Sequence, residues 1–84
     1  MITINKLDSK LKNIVRDAIR TKLLKAYRTL PLPNQTDMVF KVLTADVKKE
    51  LNNLITKHYR MLMEHDVECR LTDEDFVNIY FNNV

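Results

Sequence analysis

The chain of 84 residues contains no glycine, and its two prolines stand together in Pro31-Leu32-Pro33. Glycine supplies the positive-φ backbone of tight hairpin turns and of phosphate-cradling loops. A chain without glycine is therefore poorly suited to a hairpin-rich β fold, and it cannot carry the glycine-defined nucleotide motifs. The absence predicts a mostly helical protein and excludes P-loop, Rossmann and EF-hand sites.

Length and cysteine content predict one small domain, residues 1–84, in a reducing compartment. A single cysteine, Cys69, cannot form an internal disulfide, and disulfide-built scaffolds belong to oxidising compartments. No apolar run approaches the roughly 20 residues that span a bilayer, and the first residues lack a signal-peptide pattern. We therefore expect a cytoplasmic protein that does not bind membranes. Because so small a core gives modest stability, self-association or a partner is the expected reinforcement.

Apolar periodicity predicts two long helices and one short one. The first runs from about Thr3 to Arg28 or Leu30, with Thr3 or Asn5 as its N-cap, and the prolines end it. The second starts at an N-cap, Thr44, and ends near residue 66. The third follows the capping-box-like sequence 72–75 and carries the C-terminal aromatic residues. The apolar stripe of the first helix contains Ile4, Leu7, Leu11, Ile14, Val15 and Ala18.

Two segments, residues 38–43 and 67–71, are ambiguous between helix and strand. The first is rich in β-branched residues but also follows a helix cap at Thr36 or Asp37, and the second alternates apolar and polar residues. The preferred fold is all-α, a bundle of three to four helices in which the two long helices are antiparallel. The alternative is an α+β fold in which 38–43 and 67–71 pair as a two-stranded ribbon on the helices.

No residue pattern predicts catalysis, a metal or a cofactor. His58 and His65 share a helix face, but seven residues separate their Cα atoms by about 10 Å, which is too far for helical chelation. Cys69 has no base or oxyanion donor beside it in sequence, so a buried apolar role is favoured over a nucleophilic one. The acids at 73–75 are consecutive on a helix and point apart, so they suit the helix dipole better than a metal.

The charges are polarised along the chain. Residues 1–30 carry eight basic side chains against two acidic ones, whereas residues 61–84 carry one basic side chain against six acidic ones. Lys12, Arg16 and Arg20 follow each other at four-residue steps and form a basic row on one flank of the first helix. Such a row can contact phosphates, dock an acidic protein, or stay solvated beside the acidic C-terminal third.

The sequence also holds more large apolar residues than one small core needs, which favours an interface. We predict a non-enzymatic regulator or inhibitor that binds a protein partner carrying an acidic patch and that forms a homodimer through its long helices. Small regulators of viruses and mobile elements share this profile. Nucleic-acid binding by the basic row is the second choice. The predicted partner-binding residues are Lys12, Arg16, Arg20, Leu24, Tyr27, Met61 and Met63.

Overall fold

The computed structural model describes the backbone of residues 2–82, with every side chain in that range except those of Met63 and Asn82. Most of these residues are helical, and a two-stranded parallel sheet accompanies the helices. The all-α prediction is therefore right in its helical content and wrong in omitting the sheet. The elements in chain order are β1 (Ile2–Ile4), α1 (Ser9–Tyr27), α2 (Thr36–Val42), α3 (Ala45–Met63), β2 (Val67–Cys69) and α4 (Asp73–Asn82).

The first helix begins later than predicted. Its N-cap is Asp8, not Thr3 or Asn5, and the Asp8 side chain accepts a hydrogen bond from the Leu11 backbone N–H (2.7 Å). A carboxylate there satisfies one of the backbone donors that the first helical turn leaves unpaired. The segment before Asp8 is consequently free to run extended.

That segment is β1, and its partner is β2. The two strands are parallel, in the register Ile2 with Val67 and Ile4 with Cys69. All three residues of β1 are β-branched, which suits a strand, but periodicity within the first 30 residues cannot reveal a partner 65 positions away. Because a two-stranded sheet is marginal alone, its stability comes from packing, with Ile4 and Val67 both buried in the core.

The two ambiguous segments resolve differently. Residues 67–69 form a strand, as their alternation indicated, whereas residues 38–42 belong to α2. The predicted ribbon between 38–43 and 67–71 is therefore wrong. Val39 and Val42 lie on the buried side of α2, so the β-branched residues of that segment serve a helix face rather than a strand.

The other predicted helix starts are confirmed. Thr44 caps α3, because its hydroxyl accepts a hydrogen bond from the Val47 backbone N–H (3.4 Å). Thr72 and Asp75 form a reciprocal capping box at α4: the Thr72 N–H donates to the Asp75 carboxylate (2.8 Å), and the Asp75 N–H donates to the Thr72 hydroxyl (3.2 Å).

The two long helices run in opposite directions. Asp8, before the start of α1, contacts His58 near the end of α3 (3.3 Å), whereas Lys22 near the end of α1 contacts Glu50 near the start of α3 (3.3 Å). One buried cluster draws side chains from all six elements, and Phe76 of α4 is its largest fully buried member. Its α1 members are Leu11, Val15, Ile19 and Leu23.

Both long helices end at residues with positive φ, although the chain has no glycine. Arg28 (φ 58°) follows α1 and Glu64 (φ 56°) follows α3, and their backbone N–H groups donate to the carbonyls of Leu24 and Arg60 (both 2.9 Å). The left-handed conformation costs a residue with a Cβ roughly 1–2 kcal/mol. The C-caps are therefore strained where the N-caps are not.

In the described part of the chain, no helix combines the length and hydrophobicity that a membrane crossing requires.

Candidate functional site

The basic row lies on the flank of α1 that faces α4. Lys12 and Arg16 are half-buried, and Arg20 is exposed. Four-residue steps place these side chains one above the other, because 3.6 residues complete a helical turn. The three side chains therefore share one flank of α1, as their spacing predicts, and the surface opposite that flank belongs to α4.

Arg16 and Arg20 line a groove of about 240 Å³ between α1, the proline connector and α4. The connector reaches the groove because Pro31 and its neighbours fold back after α1 ends, and Pro31 itself is buried. The groove is therefore cationic on one wall and apolar or aromatic on the others. Its other lining residues are Leu30, Pro31, Pro33, Tyr80 and Phe81.

Tyr80 and Phe81 form the aromatic wall. Their rings meet edge to face, with centroids 5.1 Å apart and planes at 83°. Burial raises the pKa of the Tyr80 hydroxyl, and the positive charges of Arg20 and Arg16 oppose that rise. The phenol thus stays protonated at neutral pH and lies within the electrostatic reach of both guanidinium groups. Together these groups offer an anion N–H and O–H donors and no negative charge.

The described carboxylates of the acidic C-terminal third do not pair with Arg16 or Arg20. Over residues 2–82, no ion pair joins either arginine to a carboxylate. Asp73 at the start of α4 instead contacts Lys48 of α3 (3.3 Å). Asp73 therefore pairs outside the groove, and the described lining of the groove keeps its cationic wall.

The remaining predicted partner-binding residues lie elsewhere. Leu24 is 41% exposed and lines none of the grooves described here, and Tyr27 lies in a separate depression beside Lys41 of α2. Met61 of α3 is 74% exposed at the α1–α3 side of the molecule, across α1 from the basic row. The side chain of Met63 lies outside the described residues. The seven residues thus do not form one site.

A second groove, of about 400 Å³, lies between α1 and α3. Its exposed apolar lining comes chiefly from Ile14, Leu54 and Met61, with Lys57 and His58 at the rim. Apolar periodicity predicted Ile14 in the core stripe of α1, but Ile14 is 38% exposed whereas Ile19 is fully buried. Ile14 lies one helix position before the buried Val15, and that rotation of about 100° turns its side chain toward solvent.

His58, His65 and Cys69 do not converge. His58 Nε2 lies 3.3 Å from Asp8 Oδ2, and His65 is exposed beyond the end of α3. Burial raises the pKa of the Cys69 thiol, which disfavours the reactive thiolate, although a hydrogen bond with Thr56 acts against that rise. Among the described residues, no group of three or more His, Cys, Asp or Glu side chains is placed to hold a metal ion.

Sequence reasoning missed Tyr59, which joins α3 to the start of α1. Its hydroxyl accepts from the Asp8 backbone N–H (3.1 Å) and donates to the Lys6 carbonyl (3.5 Å), and its ring is buried. Together with the Asp8–His58 contact, this bonding fixes the end of the α1–α3 groove.

Comparisons with known proteins give no match of any kind: no family model, no curated sequence and no solved structure is significantly similar to this chain. The two grooves are therefore the features from which a function can be inferred.

Proposed function

We propose that the protein is a small non-enzymatic regulator or inhibitor that acts stoichiometrically by binding an acidic segment of a protein partner in the α1–α4 groove. The observation that carries this proposal is the pair of arginines, Arg16 and Arg20, which have no carboxylate partner over residues 2–82 and stand opposite Tyr80 and Phe81. Guanidinium groups bind carboxylates through two parallel hydrogen bonds, and such bonds are stronger than neutral ones.

The groove suits a peptide better than an isolated ion. Leu30, Pro31 and Pro33 give it apolar walls next to the cations, so one partner side chain can be buried while a neighbouring carboxylate reaches an arginine. Interface hot spots combine an aromatic or arginine anchor with apolar surroundings that exclude water. None of the polar groups lining the groove is a nucleophile or a general base near neutral pH, so its chemistry is recognition.

The experiment is affinity capture with a matched pair of charge reversals. The test variant is Arg16→Glu/Arg20→Glu, and the control is Lys25→Glu/Lys49→Glu, which changes charge equally at exposed residues outside the groove. Wild type and control should retain the same proteins from native lysate after nuclease treatment, and the test variant should lose them. Equal capture by all three proteins contradicts the proposal.

Tyr80→Phe separates recognition by the groove from general charge. It removes only the phenol O–H and keeps the aromatic wall, so the fold should be unchanged. Once a partner is identified, we expect this variant to bind it about ten- to hundredfold more weakly, since one hydrogen bond to a charged group contributes about 1.5–3 kcal/mol. Unaltered affinity would place the partner elsewhere on the surface.

Nucleic-acid binding is the second candidate, because cationic grooves with aromatic walls also bind single strands. The acidic residues of the C-terminal third and the half-buried state of Tyr80 and Phe81 favour the protein partner. A labelled single-stranded DNA titrated at several salt concentrations distinguishes the two. We expect a dissociation constant of about 10⁻⁴ M or weaker at physiological salt; tight, steeply salt-dependent binding that Arg16→Glu/Arg20→Glu abolishes would establish the alternative.

A further inference from the structure

The side chains of Arg16 and Arg20 have donors to spare. Within the described part of the chain, neither guanidinium group makes a hydrogen bond or an ion pair. Each guanidinium carries five N–H donors, and Arg16 is half-buried, so water has restricted access to its side chain. Polar groups withdrawn from water are normally paired. The two side chains are therefore ready to donate to an acceptor from outside the chain.

Both arginines can contact the same acceptor. Four residues along a helix rise by about 6 Å and return the side chain to the same flank. Arg16 and Arg20 line one groove of about 240 Å³, and Tyr80 lies on its other wall. The positive charges of both arginines act on the Tyr80 phenol. Two guanidinium groups and one O–H donor therefore meet in a single small space.

The described lining of this groove carries a charge of about +2. Arg16 and Arg20 supply both positive charges, and the rest of that lining is apolar, proline or aromatic. No carboxylate belongs to the described lining, and Asp73 at the start of α4 contacts Lys48 instead. A ligand that balances the groove therefore needs about two negative charges in one place.

A phosphate monoester meets this requirement better than a single carboxylate does. A carboxylate has one charge and two oxygens, and one bidentate arginine already engages both oxygens. A phosphate monoester carries about −1.5 to −2 charges at pH 7 and has three strong acceptor oxygens. It can accept from Arg16, Arg20 and Tyr80 at the same time. An internal phosphodiester of a nucleic acid carries only one charge, so it leaves the groove as unbalanced as a carboxylate does.

We propose that the α1–α4 groove binds a phosphorylated side chain of its protein partner, with Arg16 and Arg20 holding the phosphate and Tyr80 donating a further hydrogen bond. The inference rests on the proposed function, because it names the anionic group of the acidic segment. Leu30, Pro31 and Pro33 favour a phosphate on a polypeptide over free phosphate, since their apolar surface can contact the neighbouring residues of the partner. Phosphorylation of the partner then controls whether this protein binds it.

Fluorescence titration with labelled five-residue peptides tests this inference, using the full chain at concentrations up to about 1 mM. Three peptides share one leucine and differ in the two residues after it: phosphoserine–alanine, glutamate–glutamate or serine–alanine. The first two carry similar negative charge, so a difference between them reports recognition of the phosphate itself. We expect the phosphoserine peptide to bind at least about tenfold more tightly than the glutamate peptide, and the serine peptide to bind most weakly.

A pair of charge-conserving variants separates guanidinium geometry from net charge. Arg16→Lys/Arg20→Lys keeps both positive charges but removes the paired N–H groups, so the preference for phosphoserine should fall by about tenfold. Arg60→Lys/Arg70→Lys makes the same replacement at exposed residues outside the groove, and it should retain the preference. Circular dichroism verifies that both variants are folded.

Each failure has a distinct meaning. Equal affinity for the phosphoserine and glutamate peptides would overturn the phosphate inference and leave the proposed function standing, whereas binding of neither acidic peptide would contradict both. An unchanged preference in Arg16→Lys/Arg20→Lys would overturn the assignment to this groove. Displacement of the phosphoserine peptide by an equal concentration of inorganic phosphate, or tighter binding of a single-stranded oligonucleotide without terminal phosphates, would overturn the polypeptide as ligand.

Discussion

The two flanks of α1 differ in the sign of their charges and in whether those charges are paired. The flank toward α4 carries charges of one sign beside an aromatic wall, and no ion pair within the described residues neutralises Arg16 or Arg20. The flank toward α3 carries charges of both signs, and some of them pair with charges of α3, as Lys22 does with Glu50 (3.3 Å). A surface of one sign needs a partner of opposite charge, whereas a surface whose charges are already paired does not. One 19-residue helix thus presents two kinds of surface on either side of its buried stripe.

The largest expected effect distinguishes the buried stripe of α1 from its flank toward α3. Ile19→Ala empties a fully buried site and should lower the free energy of unfolding by about 2–5 kcal/mol, whereas Ile14→Ala should lower it by less than about 1 kcal/mol. Urea unfolding at low protein concentration, where self-association does not contribute, measures both. Equal losses of unfolding free energy would mean that Ile14 belongs to the core and that the flank toward α3 is not a separate surface.

An intermediate effect concerns Asp8, the N-cap of α1. Asp8→Ala should cost about 1 kcal/mol through loss of the N-cap, and Asp8→Asn should cost less, because asparagine caps equally well. Urea unfolding of the three proteins at pH 7 provides the comparison. An alanine variant as stable as wild type would show that α1 does not depend on this cap.

The stability that the Asp8 carboxylate contributes depends on pH with a definite sign. The Leu11 N–H bond, with help from His58 and Lys10, lowers the pKa of Asp8 from its usual 3.8, against the opposing effect of burial. The carboxylate therefore contributes stability above the unfolded-state pKa, and that contribution is lost as the pH falls through the lower folded-state pKa. The advantage of wild type over Asp8→Asn should shrink in this acid range, and a constant difference would exclude the ionised carboxylate as its source.

The smallest effect concerns the connector that closes the arginine groove. Arg28 adopts positive φ just before the segment containing Leu30 and Pro31, and glycine tolerates that conformation without a Cβ clash. Arg28→Gly should raise stability by about 0.5 kcal/mol after the larger entropy loss of glycine is counted. Lys25→Gly, inside α1, should lower it by about 1 kcal/mol. Matching losses in thermal melts would show that Arg28 is not strained.

Much of the fold was accessible from sequence, because helix periodicity and caps are local. Thr44 and Thr72 were identified by the hydrogen bonds that their residue types make. By contrast, the pairing of Ile2–Ile4 with Val67–Cys69 is a long-range contact, and residues 38–42 fit a strand and a helix equally well until tertiary packing selects one.

The candidate site was half accessible for the same reason. Arg16 and Arg20 were recognised from their four-residue spacing, but the groove also needs Tyr80 and Pro31, which only tertiary folding brings to α1. The groove between α1 and α3 was likewise hidden, because it depends on the antiparallel arrangement of these helices. Met61 was identified as surplus apolar surface. Ile14 was wrongly placed on the buried stripe, because it lies only one helix position before the buried Val15.

The most direct test of the division between the two flanks is a side-chain NMR titration of the wild-type protein with a short acidic peptide that carries one apolar residue. Binding in the α1–α4 groove predicts shifts at Tyr80 and Phe81, with Ile14, Leu54 and Met61 unchanged. Spectra that do not change with added peptide, or shifts centred on Ile14, Leu54 and Met61, would contradict the account.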